Sequence, residues 1–219
     1  MPAIGRNMKA PAIFFDMDGT IIDSRADLTA TVNHTRRDLS LPALAQEEVL
    51  ACVGQGARYL LAHAIPERAD EPDRLWELFR SHYSEHMLEN CALYPDVEET
   101  LRELARRGCA LGVNTSKPNF ATKAILRRFR LDSLFGDAVV AGGDCDEKKP
   151  SAKPLRICAE RLGRALTAED WMVGDSWTDL DCAANAGVRG AFCAYGFGTL
   201  GGSTYAARLE RFSDLLELI

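Results

Sequence analysis

Two aspartates stand two positions apart at the point where an apolar run ends. The run at residues 12–15 (AIFF) is followed directly by Asp16 and Asp18 in the stretch DMDGT. Asp and Gly are common turn residues, so a simple turn is one interpretation of this stretch. The other interpretation is a site for phosphoryl transfer. The rest of the chain must discriminate between the two.

Four further short apolar runs are also followed by polar residues or by glycines. They are CALGV (109–113) before Asn114-Thr115-Ser116, DAVVA (137–141) before Gly142-Gly143-Asp144 and Lys148-Lys149-Pro150, WMV (171–173) before Gly174-Asp175, and GAFCAY (190–195) before Gly196-Phe197-Gly198. Short, fully apolar runs are typical of strands that are buried on both faces of a parallel sheet. The polar residues would then lie at the carboxyl edge of that sheet, where ligands bind in such folds.

Helical patterns separate these runs, at residues 96–107, 120–129, 154–162 and 178–186. In the first of them, Val97, Leu101 and Leu104 share one face, and Asp96 with Glu99 is predicted to form a capping box. Strands that alternate with helices predict an α/β fold with a Rossmann-like, doubly wound parallel sheet.

One connection is much longer than the others. Residues 16–108 separate the first two predicted strands, far more than an ordinary connection of this type needs. The segment has helical patterns, with Leu28, Val32 and Leu39 on one face, followed by further patterns at 56–64 and 70–87. We therefore expect a core domain of residues 1–22 and 92–219 and an inserted helical cap of residues 23–91. An insertion at this point would cover the carboxyl edge of the sheet as a lid.

Composition and charge exclude several classes of function. The chain has 219 residues, 47% hydrophobic and 26% charged, and its net charge of −6 argues against nucleic acid or an anionic membrane as the main partner. No apolar run approaches the ~20 residues that span a bilayer, and the N-terminal segment MPAIGRNMKAP lacks the hydrophobic stretch of a signal peptide. Seven cysteines without a C-x-x-C pair are typical of reduced thiols, so we expect a cytoplasmic location.

Taken together, the polar clusters resemble the four motifs of the haloacid dehalogenase superfamily of phosphatases. DMDGT is similar to the first motif, Thr115 in LGVNT to the second, Lys149 in KKPSAKP to the third, and Asp175 with Asp179 in VGDSWTD to the fourth. The resemblance covers the whole chain, with every motif in order and on its expected element. Four ordered motifs are far more specific than one Asp-x-Asp pair.

The resemblance implies a role for each carboxylate of the site. Asp16 would be the nucleophile that takes the phosphoryl group as an aspartyl-phosphate. Asp18 would protonate the leaving alkoxide and then activate water. Mg²⁺ would be held by Asp16, the backbone carbonyl of Asp18 and Asp175, since Mg²⁺ prefers hard oxygen ligands. Asp179 would orient Lys149 or a metal-bound water.

The resemblance also implies roles for the other polar residues. Lys149 would offer a fixed positive charge to the phosphoryl oxygens and to Asp16. Thr115 and Ser116 would donate hydroxyl hydrogen bonds to the substrate. Thr20, in DGT, would contact the residues that bind the substrate rather than the substrate itself. The presence of Thr20 weakly favours hydrolysis over mutase chemistry.

Several of these residues have simpler interpretations. Thr115 could be the N-cap of a helix that follows its strand, and Asp175 with Asp179 could cap the next helix. Lys148 and Lys153 compete with Lys149 for the third-motif role. His82 and His86 have a spacing that metal sites use, but a surface helix face accounts for them more simply.

Within the superfamily, the segment IDSRADLTATVNH is most similar to the start of the cap in phosphoglycolate phosphatases. The resemblance implies a Mg²⁺-dependent phosphatase of a small phosphorylated metabolite, with 2-phosphoglycolate as the leading candidate. The carboxylate of such a substrate would need donors from the cap, and Arg25, Gln55 and Arg58 are the candidates. Ser116 and Trp177 depart from the usual motifs and leave the exact substrate open.

Other functions remain as alternatives. Asp18 argues against a dehalogenase, which needs no proton for its leaving halide, and the cap has no lysine with which to form a phosphonatase Schiff base. A phosphosugar phosphatase or a β-phosphoglucomutase-like mutase is the enzyme alternative. A catalytically idle binding module on the same fold is the non-enzyme alternative. We expect a monomer or a homodimer.

Overall fold

The computed structural model describes residues 10–219, and the expectation about a signal peptide falls largely on residues 1–9, which lie outside the described part. The core is a six-stranded parallel sheet in the order β5-β4-β1-β6-β7-β8. The strands are β1 (Ala12–Phe15), β4 (Ala110–Pro118), β5 (Val139–Gly142), β6 (Trp171–Gly174), β7 (Arg189–Cys193) and β8 (Ala207–Leu209). The five predicted strands are confirmed, and β8 was not predicted.

Helices cover both faces of the sheet, which confirms the predicted α/β fold. They are α5 (Val97–Arg106), α6 (Asn119–Arg128), α7 (Asp132–Phe135), α8 (Lys153–Arg161), α9 (Trp177–Ala186) and α10 (Leu215–Leu218).

Strand β1 is apolar at every position because its successive side chains point to opposite faces of the sheet and both faces are buried. Ile13 and Phe15 pack in one buried layer with Leu101 of α5, whereas Phe14 packs in the other with Leu155 of α8.

The predicted capping box at the start of α5 is wrong. Asp96 makes no side-chain hydrogen bond to the helix and takes a left-handed backbone conformation with φ 64°. Its carboxylate instead accepts a hydrogen bond from Ser213 Oγ at 3.0 Å. A tertiary contact with the C-terminal segment has therefore replaced the local cap.

Between β1 and β4 the chain forms a helical cap, whose apolar cluster also includes Ala121 of α6. Its helices are α1 (Arg25–Asp38), α2 (Gln46–Leu50), α3 (Ala57–Ala64) and α4 (Pro72–His86). Val32, Leu61, Leu75 and Phe79 are buried together in the cap. Among residues 10–219, no helix combines the length and apolar character that crossing a membrane requires.

A short antiparallel ribbon lies where the chain enters and leaves the cap. Strands β2 (Ile22–Asp23) and β3 (Ala92–Leu93) pair Ile22 with Leu93 and Asp23 with Ala92. The predicted boundaries after residues 22 and 91 fall at this ribbon. The division of the chain into two domains stays a prediction.

Candidate active site

Three of the four motifs meet at the centre of the sheet because their strands are neighbours. Phe15, the last residue of β1, pairs with Val113 of β4 on one side and with Val173 of β6 on the other. Asp16 follows Phe15 directly, and its backbone N–H still donates to the Val173 carbonyl at 2.9 Å. The residues that come next on β4 and β6 include Thr115 and Asp175. The parallel register therefore brings them to one edge of the sheet.

Lys149 connects two of the carboxylates at this edge. Its Nζ lies 2.9 Å from Asp16 Oδ1 and 2.5 Å from Asp179 Oδ1, and all three side chains are buried. The two competing lysines are elsewhere, since Lys148 donates to the Gln55 carbonyl and Lys153 pairs with Asp146. Of the three lysines, only Lys149 can offer its charge to Asp16.

Glycines and backbone amides hold Asp175 in place. The N–H groups of Phe197 and Gly198 donate to Asp175 Oδ2 at 2.9 and 2.7 Å. A side chain at Gly19 or Gly196 would collide with the same carboxylate, because a Cβ there would lie 1.7 or 2.6 Å from Asp175 Oδ2. Gly19 also has φ 76°, a backbone conformation that favours glycine. The glycines of DMDGT and GFG thus allow the backbone to approach Asp175 closely.

Crowding of negative charge changes the protonation of these carboxyls. Burial raises the pKa of Asp16 to about 6, with Lys149 opposing the shift and the Asp179 charge adding to it. Burial, together with the charges of Asp179 and Asp16, raises the pKa of Asp175 well above its usual range. One lysine therefore does not balance three buried carboxyls.

The acidic cluster is suited to a divalent cation. One carboxylate oxygen from each of Asp16, Asp175 and Asp179 lies within 4.8 Å of the other two. Asp16 Oδ1 accepts no hydrogen bond from the described residues, although Lys149 forms an ion pair with it. Three carboxylates with hard oxygen ligands and only one lysine among them fit an ion of the Mg²⁺ class.

Asp18 lies in a different environment from Asp16. Its Oδ1 accepts hydrogen bonds from Ser24 Oγ at 2.5 Å and from Lys117 Nζ at 2.6 Å. Lys117 also donates to the Tyr83 hydroxyl of cap helix α4. Burial lowers the pKa of Lys117, but the charge of Asp18, the Tyr83 side chain and the hydrogen bonds to both together outweigh it, so the net pKa is raised and the ammonium stays charged. The side chain of Asp18 is thus held by a cation, outside the acidic cluster.

Sequence reasoning missed Lys117 and Tyr83. Lys117 directly follows Thr115 and Ser116 on β4, so its position beside a motif could have singled it out. Tyr83 has the spacing of an ordinary buried residue of a cap helix, and no local signal distinguishes it. Only the packing of the cap on the core brings its hydroxyl to Lys117.

The hydroxyl residues occupy distinct positions. Thr115 and Ser116 both line the cavity above Asp16, and Ser116 Oγ is buried without a hydrogen-bond partner in the described part of the chain. Thr20 is fully buried behind the cavity, and its carbonyl accepts a hydrogen bond from Tyr195 Oη at 2.9 Å. The roles predicted for these residues stay predictions.

The site opens into a cavity of about 380 Å³ between cap and core. The cap lines it mainly with apolar side chains, together with Gln55, Glu47 and Tyr83; the apolar ones include Leu28, Leu50, Val53, Leu60 and Phe79. Arg25 is placed away from this cavity and pairs with Asp23, and Arg58 pairs with the exposed Asp73. Gln55 lines this cavity, and Arg58 lines a neighbouring cavity of about 470 Å³ together with Thr115, Ser116 and Lys149. The substrate-binding role of the three predicted cap donors stays a prediction.

This chain is similar to known proteins in sequence and in fold. Residues 13–193 match the family model described as haloacid dehalogenase-like hydrolase. A phosphoglycolate phosphatase of Aquifex aeolicus is 32% identical, over 94% of this chain and 95% of that protein. A phosphoglycolate phosphatase of Mannheimia succiniciproducens is 30% identical, over 97% of this chain and 100% of that protein. A crystal structure of a predicted phosphoglycolate phosphatase from Haemophilus somnus superposes with a TM-score of 0.88 at 29% identity, covering 97% of this chain and 99% of that one.

Proposed function

Because this chain belongs to the haloacid dehalogenase-like hydrolase family, we propose that it hydrolyses phosphomonoesters through an aspartyl-phosphate on Asp16. The observation that supports this most strongly is the pairing of Asp16, which lines the cavity, with the buried Lys149, whose Nζ lies 2.9 Å from Asp16 Oδ1. The names of the relatives also support phosphatase activity. Asp16 is the only carboxylate of the site that directly follows the central strand.

In the first step, a carboxylate oxygen of Asp16 attacks phosphorus and the bond to the leaving alkoxide breaks. Asp18 gives its proton to that alkoxide, for which Lys117 and Ser24 hold its carboxyl in place. In the second step, water gives a proton to Asp18 and attacks phosphorus, and the Asp16 carboxylate leaves. Lys149 stabilises negative charge on the phosphoryl oxygens throughout.

A divalent cation is part of the proposal, with Mg²⁺ as the expected ion. Asp16 and Asp175 would hold it, together with the backbone carbonyl of Asp18, and Asp179 would keep Lys149 in position. The bound cation would supply the positive charge that lets a carboxylate approach a phosphate dianion. The unbalanced charge of the acidic cluster supports this assignment.

We propose a small phosphorylated metabolite as substrate, with 2-phosphoglycolate as the leading candidate. The names of the relatives support this choice. For a substrate carboxylate we propose two cap donors at the cavity, Gln55 and the backbone N–H groups at the start of α3.

We also propose a reducing, cytoplasmic setting and a chain that acts as a monomer or homodimer. All seven cysteines have free thiols, which supports the reducing setting.

Phosphate release from a panel of small phosphomonoesters and phosphosugars tests the proposal. Each substrate would be assayed with Mg²⁺ and with EDTA, beside an Asp16→Asn control. We expect one small phosphorylated acid to dominate, with release abolished by EDTA and by Asp16→Asn. Feeble, uniform release that Asp16→Asn still abolishes would reject phosphoglycolate but keep the chemistry. Dependence on a bisphosphate activator would indicate a mutase, and no turnover at all would indicate a binding module.

A further inference from the structure

Three of the four histidines of the chain meet on the side of the cap formed by helices α1 and α4. His34 lies on α1, and His82 with His86 lies one turn apart on α4. The ring centroid of His34 is 5.4 Å from that of His82 and 5.1 Å from that of His86. All three are partly exposed, so an ion could reach them from solvent.

The ring nitrogens are disposed as metal ligands. One nitrogen from each histidine lies within 4.8 Å of the other two. Zinc bonded to imidazole nitrogens at ~2.0–2.1 Å in a tetrahedral site needs these atoms somewhat closer together. Because the side chains are partly exposed, small rotations of the rings can close the difference.

Two of the rings have one nitrogen in contact with a carboxylate. His82 Nε2 lies 2.7 Å from Asp38 Oδ2, and His86 Nδ1 lies 2.7 Å from Glu89 Oε1. A ring that donates one N–H to a carboxylate presents its other nitrogen as a lone pair, which is the usual arrangement around a metal-binding histidine. These contacts leave Nδ1 of His82 and Nε2 of His86 free for an ion.

The third ring and a nearby acid complete the donor set. His34 Nδ1 is buried and has no hydrogen-bond partner among the described residues, although a buried polar atom normally has one. Glu85 Oε2 lies 3.8 Å from His86 Nε2, close enough to become a fourth ligand. Asp38, Glu85 and Glu89 also offset the charge of an added cation, with Arg37 opposing them.

We propose that His34, His82 and His86 form a binding site for a borderline divalent transition-metal ion, Zn²⁺ in the first instance, with Glu85 or water in the fourth position. The ion would join α1 to α4, the two longest helices of the cap. Because the three side chains come together only in the folded chain, binding would stabilise the native state. The nitrogen donors separate this site from the all-oxygen cluster of Asp16, Asp175 and Asp179.

Isothermal titration with ZnCl₂ in the presence of excess Mg²⁺ tests the proposal on the full chain. We expect about one tight Zn²⁺ per chain, and at least ~100-fold weaker binding in His82→Gln. His63, which stacks on Tyr59 of α3 away from the cluster, is the matched control, so His63→Gln should bind like wild type. Asp175→Asn should also retain the tight site, because it alters only the acidic cluster.

Two further measurements do not depend on enzymatic activity, and one of them also reports whether the variant is folded. The thermal midpoint with Zn²⁺ should rise for wild type and for His63→Gln but not for His82→Gln, whose metal-free midpoint reports whether it is folded. Co²⁺ added in place of Zn²⁺ should give visible absorption of a low-coordinate, nitrogen-rich site. Equal Zn²⁺ affinity in wild type and in folded His82→Gln would overturn the proposal. Loss of the tight site in Asp175→Asn would overturn it as well, by assigning the ion to the active site.

Discussion

At the scale of single residues, two aspartates of one short motif have opposite surroundings. Asp16 is buried among carboxyls, with one lysine for three acids. Asp18 is paired with its own ammonium, Lys117, and with the Ser24 hydroxyl. The two side chains thus have different partners, and in the proposed reaction they have different roles, Asp16 as the nucleophile and Asp18 as the acid and base.

The acidic cluster should make the metal-free protein less stable as pH rises. In the folded chain the pKa of Asp16 is about 6, above its ordinary 3.8, so between these values the folded chain holds a proton that the unfolded chain has released. Raising the pH through this window therefore lowers the free energy of unfolding, by at most about 1.4 kcal/mol per pH unit for each such group. We expect the midpoint of thermal unfolding, measured in EDTA, to fall as the pH is raised from 4 to 7. Added Mg²⁺ should make this decrease smaller.

Asp175→Asn gives the matched variant for this effect. Removing one of the repelling carboxylates should raise the metal-free midpoint at pH 7.5 by ~2–4 °C, which corresponds to about 1 kcal/mol for a chain of this size. Asp146→Asn, at an exposed ion pair, should leave it nearly unchanged. A lower midpoint for Asp175→Asn would show that the amide contacts of its carboxylate outweigh the repulsion.

Lys117 should be required for fast turnover although it does not belong to the predicted motifs. Lys117→Met keeps the length of the side chain but leaves Asp18 without the cation that holds it, and a misplaced acid costs up to ~10²-fold in rate. We expect kcat to fall by ~10- to 100-fold. Lys153→Met, at an exposed ion pair, is the control. A normal kcat for Lys117→Met, measured by phosphate release, would exclude a positioning role.

At the scale of elements, the side chain of Asp27 in α1 fixes the position of residues 90–91, where the chain passes from the cap back to the core. Its buried carboxylate accepts hydrogen bonds from the backbone N–H groups of Asn90 and Cys91, at 2.9 Å each, and from the Asn90 amide at 2.9 Å. Asp27→Ala would remove all of these hydrogen bonds to a charged acceptor. We expect the free energy of unfolding to fall by about 3 kcal/mol.

Chemical denaturation measures that loss, and hydrogen exchange at residues 90–91 locates it. Asp73→Ala is the control, because Asp73 makes only an exposed ion pair with Arg58 and should contribute less than about 1 kcal/mol. Similar losses for the two variants would show that the contacts of Asp27 do not fasten the segment.

The strands could be predicted from the amino-acid sequence, whereas a helix cap and the contacts of two cap arginines could not. The central strands were predictable because each is buried on both faces, which leaves an unmixed apolar run. The capping box at Asp96 failed because a contact with Ser213, far along the chain, decides the conformation there. Arg25 and Arg58 were selected for their charge, and the sequence did not indicate that they form ion pairs with Asp23 and Asp73.

At the scale of the whole molecule, the cap and the core meet over the reacting groups. Tyr83 of the cap accepts a hydrogen bond from Lys117 of the core, and Lys117 in turn holds Asp18. The position of the cap is therefore connected to the acid of the proposed reaction through two contacts. Sequence predicted a cap over this edge of the sheet, but not this connection, because it depends on how the two parts pack.

The covalent intermediate on Asp16 is the central claim, and a rapid acid quench tests it most directly. Protein mixed with a ³²P-labelled substrate and Mg²⁺ would be quenched within one turnover, and the label on the protein would be counted and mapped by peptide. We predict a hydroxylamine-sensitive label on the peptide that contains Asp16, absent in Asp16→Asn, whose phosphate release should fall by on the order of 10³-fold or more. Release at the wild-type rate by Asp16→Asn, with no label on the protein, would contradict the account.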